Sequence, residues 1–163
     1  MPESVLTRRW KAPQFSIRAL IVALTVVAVV FSVYATFFRR TLIVASHVRS
    51  IGGRDGWYGP TIAFIDLNNT RCNDEDVGII CGLGGLVSLE LNHTDISDRG
   101  VERIARLTSL KVLTLDGTSV GDKGILSLRG LKFLKHLSVK GTHVTKAGVD
   151  ALNEYLPEAE VVR

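Results

Sequence analysis

Apolar residues recur along this chain in two different rhythms. From Ala19 to Phe38 the run ALIVALTVVAVVFSVYATFF carries no charge over 20 residues. At about 1.5 Å per residue a helix of that length reaches roughly 30 Å, the thickness of a bilayer's hydrocarbon core. Its many β-branched residues are poor helix formers in water, but in lipid an unpaired backbone is so costly that the helix forms regardless. Tyr34, Phe37 and Phe38 stand where an interfacial aromatic belt belongs, with Arg39 and Arg40 just beyond. Val33-Tyr34-Ala35 also offers small residues at the two positions a signal peptidase inspects, so a cleaved leader is the competing reading. The length of the run favours an uncleaved anchor.

The second rhythm is an internal repeat. IDLNNT, LELNHT, LTLDGT and LSVKGT begin at Ile65, Leu89, Leu113 and Leu137, each 24 residues after the last. Seven columns stay apolar through four units. Three surround the hexapeptide: Ile62/Leu86/Leu110/Leu134, Ile65/Leu89/Leu113/Leu137 and Leu67/Leu91/Leu115/Val139. One lies in the turn, Cys72/Ile96/Val120/Val144. Three follow at helical spacing: Val77/Val101/Ile125/Val149, Ile80/Ile104/Leu128/Leu152 and Leu83/Leu107/Leu131/Tyr155. With 46% apolar residues overall, chance would fill these columns roughly once in 10⁹.

Each unit predicts its own local structure. The alternating I/L-x-L/V step is a short strand with two residues facing inward. Asn69, His93, Gly117 and Gly141 follow, residue types that tolerate a left-handed backbone. Then comes a threonine each time (Thr70, Thr94, Thr118, Thr142), whose hydroxyl is expected to bond backbone groups of its turn and of the adjacent unit. Asn73, Ser97, Gly121 and Thr145 suit helix N-caps, and Asp74, Asp98 and Asp122 put negative charge in the first turn, where the helix dipole favours it.

With LxxLxLxx matched by Leu86, Leu89, Leu91 and by Leu110, Leu113, Leu115, residues 60–163 resemble the leucine-rich-repeat family. Threonine stands where that family usually has asparagine. With the following [IV]-x-D-x-G, as in Ile96-Ser97-Asp98-Arg99-Gly100, the units look like the subtype in F-box-associated repeats and in short membrane-anchored bacterial proteins. No F-box-like segment accompanies them. The resemblance implies an α/β solenoid of short parallel strands and helices, about four repeats, behind one transmembrane helix. The organisation expected is a basic tail (residues 1–18), a transmembrane helix (19–38), a juxtamembrane stretch and N-terminal cap (39–63) and the repeat domain (64–163). A helix over Thr41–Ile51, broken by Gly52-Gly53, is expected to begin the cap. At the far end Pro157 is expected to stop the last helix before a half-strand at Val161.

Charge changes one part of the picture. The net +4 suggests nucleic acid until it is located. Residues 1–18 hold Arg8, Arg9, Lys11 and Arg18 against Glu3, while the chain from Arg39 onward is nearly neutral, with 16 basic and 15 acidic residues. No basic stripe is left for phosphates, so no nucleic-acid partner is expected. Basic residues flank the apolar run on both sides in near-equal number. A short basic N-terminus before a first span usually stays cytoplasmic, which places the repeats outside.

The strand residues between the leucines should line a concave face about 20 Å wide for four or five strands. Its rows are Phe64/Ser88/Val112/His136, Asp66/Glu90/Thr114/Ser138 and Asn68/Asn92/Asp116/Lys140. Among these, Asp66, Asn68, Ser88, Glu90, Asn92, Thr114, Asp116, His136, Ser138 and Lys140 are the candidate partner contacts. Asp66 beside Glu90 reads as an acidic patch for a basic partner or as solvated carboxylates on an open sheet; His136 near Lys140 should make the other end basic. None of His47, His93, His136 and His143 stands at ligand spacing from a cysteine or carboxylate, and no nucleotide-binding or hydrolase motif occurs. Cys72 fills a core column, Cys81 should be half exposed, and a bridge between them is conceivable. No cofactor, metal or catalysis is expected. The function indicated is a single-span membrane protein whose concave face binds another protein, or else an assembly protein that associates through its span.

Overall fold

The computed structural model describes residues 16–59 and 61–163. Most of the expected basic tail lies outside them, including Arg8, Arg9 and Lys11. Contacts divide the chain into two units, Met1–Thr36 and Phe37–Arg163.

In the first unit, residues 17–36 belong to helix α1 (Ile17–Ser50), and all of them are exposed. Ser16 starts the helix, its hydroxyl accepting the Ala19 N–H at 3.2 Å. Thr25 and Thr36 turn their hydroxyls back onto the carbonyls of Val22 and Val33, each at 2.8 Å, so both hydroxyls are satisfied within the helix. An 18-residue window of α1 has a mean hydropathy of 2.5, and by length and composition the helix can cross a membrane.

The second unit begins with the last turns of the same helix. A separate cap helix over Thr41–Ile51 was the expectation, but nothing between Phe38 and Thr41 interrupts a helix, and α1 runs through. Thr41, Val44, Ala45 and Val48 are its buried residues, spaced to form one face, and the three apolar ones join the core. Gly52, at φ +89°, ends it: the Gly53 N–H reaches the Val48 carbonyl at 2.8 Å and the Gly52 N–H reaches Arg49 at 3.2 Å.

Strand β1 (Arg54–Tyr58) then turns back antiparallel along β2 (Thr61–Asp66), with a bulge at Gly56/Trp57. From β2 onward each unit contributes a strand and a helix, in the order α2 (Asp74–Ile80), β3 (Ser88–Glu90), α3 (Asp98–Ile104), β4 (Val112–Thr114), α4 (Asp122–Ser127), β5 (His136–Ser138), α5 (Lys146–Asn153) and β6 (Glu160–Val162). The sheet runs β1 to β6 in sequence order, and β2 to β6 are parallel. Register advances by the repeat: Ile65, Leu89, Leu113, Leu137 and Val161 are successive partners.

The apolar columns lie between sheet and helices and are nearly all inaccessible to water. Each buried leucine or isoleucine contributes about 1.5–3 kcal/mol. Two departures fall in the last unit. Tyr155 is 50% exposed, and Leu156 takes the core position expected of it. α5 has eight residues where α2 and α3 have seven, and the Leu156 N–H still bonds the Leu152 carbonyl at 3.0 Å, which carries the next side chain inward. The same helix ends at Asn153, ahead of Pro157, so the proline follows the stop instead of making it.

Candidate partner-binding face

The left-handed column is as expected: Asn69, His93, Gly117 and Gly141 have φ of 58°, 54°, 67° and 65°. The turn after it is closed by the threonines, whose hydroxyls donate to the carbonyls of Leu67, Leu91, Leu115 and Val139 at 2.6–2.7 Å. Each of those bonds stays inside its own turn. The adjacent unit is reached by two other columns.

One is the aspartate column. Asp74 accepts the Ser97 N–H at 2.9 Å and the Ser97 hydroxyl at 2.6 Å. Asp98 accepts the Gly121 N–H at 2.7 Å, and Asp122 accepts both the N–H and the hydroxyl of Thr145 at 2.7 Å. These carboxylates, placed by the sequence at helix starts, therefore tie each helix to the cap of the next. The bonds from Thr145, the backbone one foremost, hold the Asp122 carboxyl below its ordinary value. The glycine of the D-x-G motif makes room for this contact. A β-carbon at Gly100, Gly124 or Gly148 would overlap the carboxylate of Asp74, Asp98 or Asp122 of the preceding unit. In the first repeat that position is Asp76, which has no such carboxylate before it; it closes a capping box with Asn73 and pairs with His47 of α1 at 2.9 Å.

The other column is the outermost row of the strand face. The Asn68 amide oxygen accepts the Asn92 N–H at 2.9 Å, Asn92 accepts the Asp116 N–H at 2.9 Å, and Asp116 accepts the Lys140 N–H at 2.8 Å. Ser138, buried, donates its hydroxyl to Asp116 at 2.6 Å. Four candidate contacts, Asn68, Asn92, Asp116 and Ser138, thus spend polar groups on holding the strands in register. Lys140 keeps an exposed side chain.

The remaining candidates form the open part of the face. Ser88, Glu90, Thr114, Asp66 and His136 are half-buried, beside Phe64 and Val112. Asp66 and Glu90 are neighbours in register, as expected. Each finds its own donor: Arg54 of β1 lies 3.1 Å from Asp66, and the Asn68 amide donates to Glu90 at 2.6 Å. The far end is not the basic patch expected of His136 and Lys140, because β6 sets Glu160 opposite His136, with Nδ1 3.5 Å from the carboxylate. The face thus carries two cations, Arg54 and Lys140, against four carboxylates, Asp66, Glu90, Asp116 and Glu160. The Thr114 hydroxyl is buried without a hydrogen-bond partner among the described residues.

Two histidines do meet carboxylates, His47 with Asp76 and His136 with Glu160, against the expectation from spacing. Stacking of units and cap brings together residues 29 and 24 apart, beyond the reach of a local pattern. Among the described residues no group of three or more histidine, cysteine, aspartate or glutamate side chains is placed to hold a metal ion. Both cysteines are free. Burial pushes the Cys72 thiol up to about 12 and the Cys81 thiol up to about 11.

A leucine-rich-repeat family profile matches residues 86–105, the stretch from β3 through α3. Residues 61–163 form an α/β solenoid, and the profile match falls on one of its repeats. Among solved structures it is similar to a leucine-rich-repeat protein of Leptospira interrogans, at 15% identity and a TM-score of 0.40. That likeness covers 53% of this chain and 27% of the other, so the match spans about a quarter of that protein's length. No curated protein matches the chain. Two members of the face escaped the sequence reading. Glu160 could have been found by extending the Phe64/Ser88/Val112/His136 row one more period, whereas Arg54 has no counterpart in the repeat.

Proposed function

We propose that this protein is a single-span membrane protein whose leucine-rich-repeat face captures another protein, with the repeats on the extracytoplasmic side. The carrying observation is the division of labour on the sheet. Its outermost row is locked into strand-to-strand hydrogen bonds, while the row of Ser88 and, apart from buried Ser138, the row of Glu90 remain half accessible on a six-stranded sheet. A face held rigid before the partner arrives loses little conformational entropy on binding.

Six strands at about 4.8 Å spacing make a face about 24 Å wide. With roughly 10–15 Å of strand length exposed, its area is on the order of 300 Å², well under the ~800 Å² per partner of a stable complex. Binding is therefore transient, or extends onto the flanking turns. The excess of carboxylates favours a partner segment with basic side chains beside apolar ones that reach Phe64 and Val112.

Capture of a bait partner by the tagged full chain tests this reading. Ser88→Arg and Val112→Arg fill the face without touching the hydrogen-bonded columns, and Glu90→Lys reverses its charge. Ser88→Arg and Val112→Arg should keep the parent's unfolding transition, Glu90→Lys should lose only its bond from Asn68, and all three should weaken capture at least about tenfold, the equivalent of 1.4 kcal/mol. Undiminished capture by all three would remove the face as the site.

A further inference from the structure

We infer that the β1–β2 hairpin rests in the headgroup region of the membrane that α1 enters, with Trp57 and Tyr58 as its contacts, so that the solenoid is seated on the bilayer. This rests on the proposed anchoring of α1.

The uncharged run of α1 ends at Phe38, and Arg39 and Arg40 follow. Cover by the solenoid begins at Thr41, which is 2% exposed, only three residues on. At 1.5 Å per residue that leaves about 4.5 Å of helix between the apolar run and the folded domain. Helix α1 is continuous through this stretch.

The hairpin reaches the same level. The Trp57 ring lies 6.3 Å from that of Phe38, centroid to centroid. Tyr58, beside the turn, is 82% exposed. Together with Phe37 they put four aromatic side chains next to two arginines at the end of an apolar helix. Aromatic rings with one polar tip gather at that depth in a bilayer, and arginine extends from it into the headgroups.

A clamp centred on a buried carboxylate holds the hairpin against the helix. Arg49 of α1 donates to the Asp55 carboxylate through Nε at 2.8 Å and Nη2 at 3.0 Å, and the Trp57 indole N–H donates to it at 2.6 Å. The Asp55 side chain is 2% exposed. The carboxylate thus joins helix and hairpin, and the aromatic patch is formed before any lipid is met. A strand of β1's length spans about 13 Å from Tyr58 to Arg54. The near edge of the binding face, Arg54 with Asp66, then stands close above the headgroups and favours partners that are themselves at the membrane.

The chain has two tryptophans, Trp10 and Trp57, so the Trp10→Phe variant reports Trp57 alone. The full chain is reconstituted in phosphatidylcholine vesicles and washed with alkaline carbonate. Its emission is then compared in lipids brominated high on the acyl chain, lipids brominated near the bilayer centre, and unbrominated lipids. A carbonate-resistant chain whose Trp57 emission is lost mainly to the shallow bromines is the expected result. A carbonate-resistant chain quenched by neither lipid, or most by the deep one, overturns the seating while the anchor stands. Release by carbonate overturns the anchor, and the seating with it.

Discussion

Replacing Gly100 with alanine adds one methyl group, and the structure says what it would strike. The new β-carbon would overlap the Asp74 carboxylate of the preceding unit, with Ile96 Cγ2 next at 3.0 Å. Asp74 must then give up the Ser97 N–H and hydroxyl it holds at 2.9 and 2.6 Å. Hydrogen bonds to a charged group contribute about 1.5–3 kcal/mol each in favourable settings, and the half-exposed position of Asp74 argues for the lower part of that range. Steric displacement adds about 1–3 kcal/mol, while alanine in a helix returns about 1 kcal/mol over glycine. The net expectation is a loss of about 3 kcal/mol for Gly100→Ala. Asp74→Ala alone should cost about 2–3 kcal/mol, since it removes the same bonds. In the Asp74→Ala background the obstacle is gone, and Gly100→Ala should cost less than about 1 kcal/mol. Urea unfolding of the full chain in detergent, followed by circular dichroism, measures all four proteins of this cycle. Additivity within about 0.5 kcal/mol would refute the reasoning, because the glycine would then serve something other than the carboxylate.

Acid should act on the same column. The folded Asp122 carboxyl lies below its ordinary value of 3.8, so its stabilisation is complete above that value and fades as pH falls through the folded one. Asp122→Asn should therefore be less stable than the parent at pH 7, and the gap should narrow in strong acid; a gap independent of pH would contradict it. The two thiols, raised to about 12 and about 11, should alkylate far more slowly at pH 8 in the folded chain than in urea, because the thiolate is the reactive form. Equal rates in both states would show that Cys72 and Cys81 are not in the environments described.

The solenoid was legible because its core repeats. Columns such as Ile65/Leu89/Leu113/Leu137 place residues that must face inward every 24 positions, and burial is what such a pattern records. The cap was less legible, because it occurs once. Nothing periodic marks Arg54–Tyr58 as a strand, and Asp55 gains its meaning only when Arg49 and Trp57 close on it. The role of the aspartates was half legible. Their column was plain, but helix-start chemistry accounts for an aspartate without any neighbouring unit. A subtler signal distinguishes the two readings. The carboxylate column runs Asp74, Asp98, Asp122 and then Lys146, while the glycine column runs Asp76, Gly100, Gly124, Gly148. The glycines are displaced by one unit from the aspartates, as a contact between successive units requires. On the open face, the expected basic end failed because Glu160 arrives from β6, whose neighbours break the leucine pattern.

The proposed topology is a membrane-held solenoid that offers its face outside the cytoplasm. The direct measurement is one blot of cells carrying a C-terminally tagged copy, with external protease added after any outer barrier is permeabilised. A full-length tagged band that disappears on digestion is the predicted result. A full-length band that survives until the cytoplasmic membrane is broken would contradict the topology, and a band already shortened before any protease by the residues up to Ala35 would contradict the anchor.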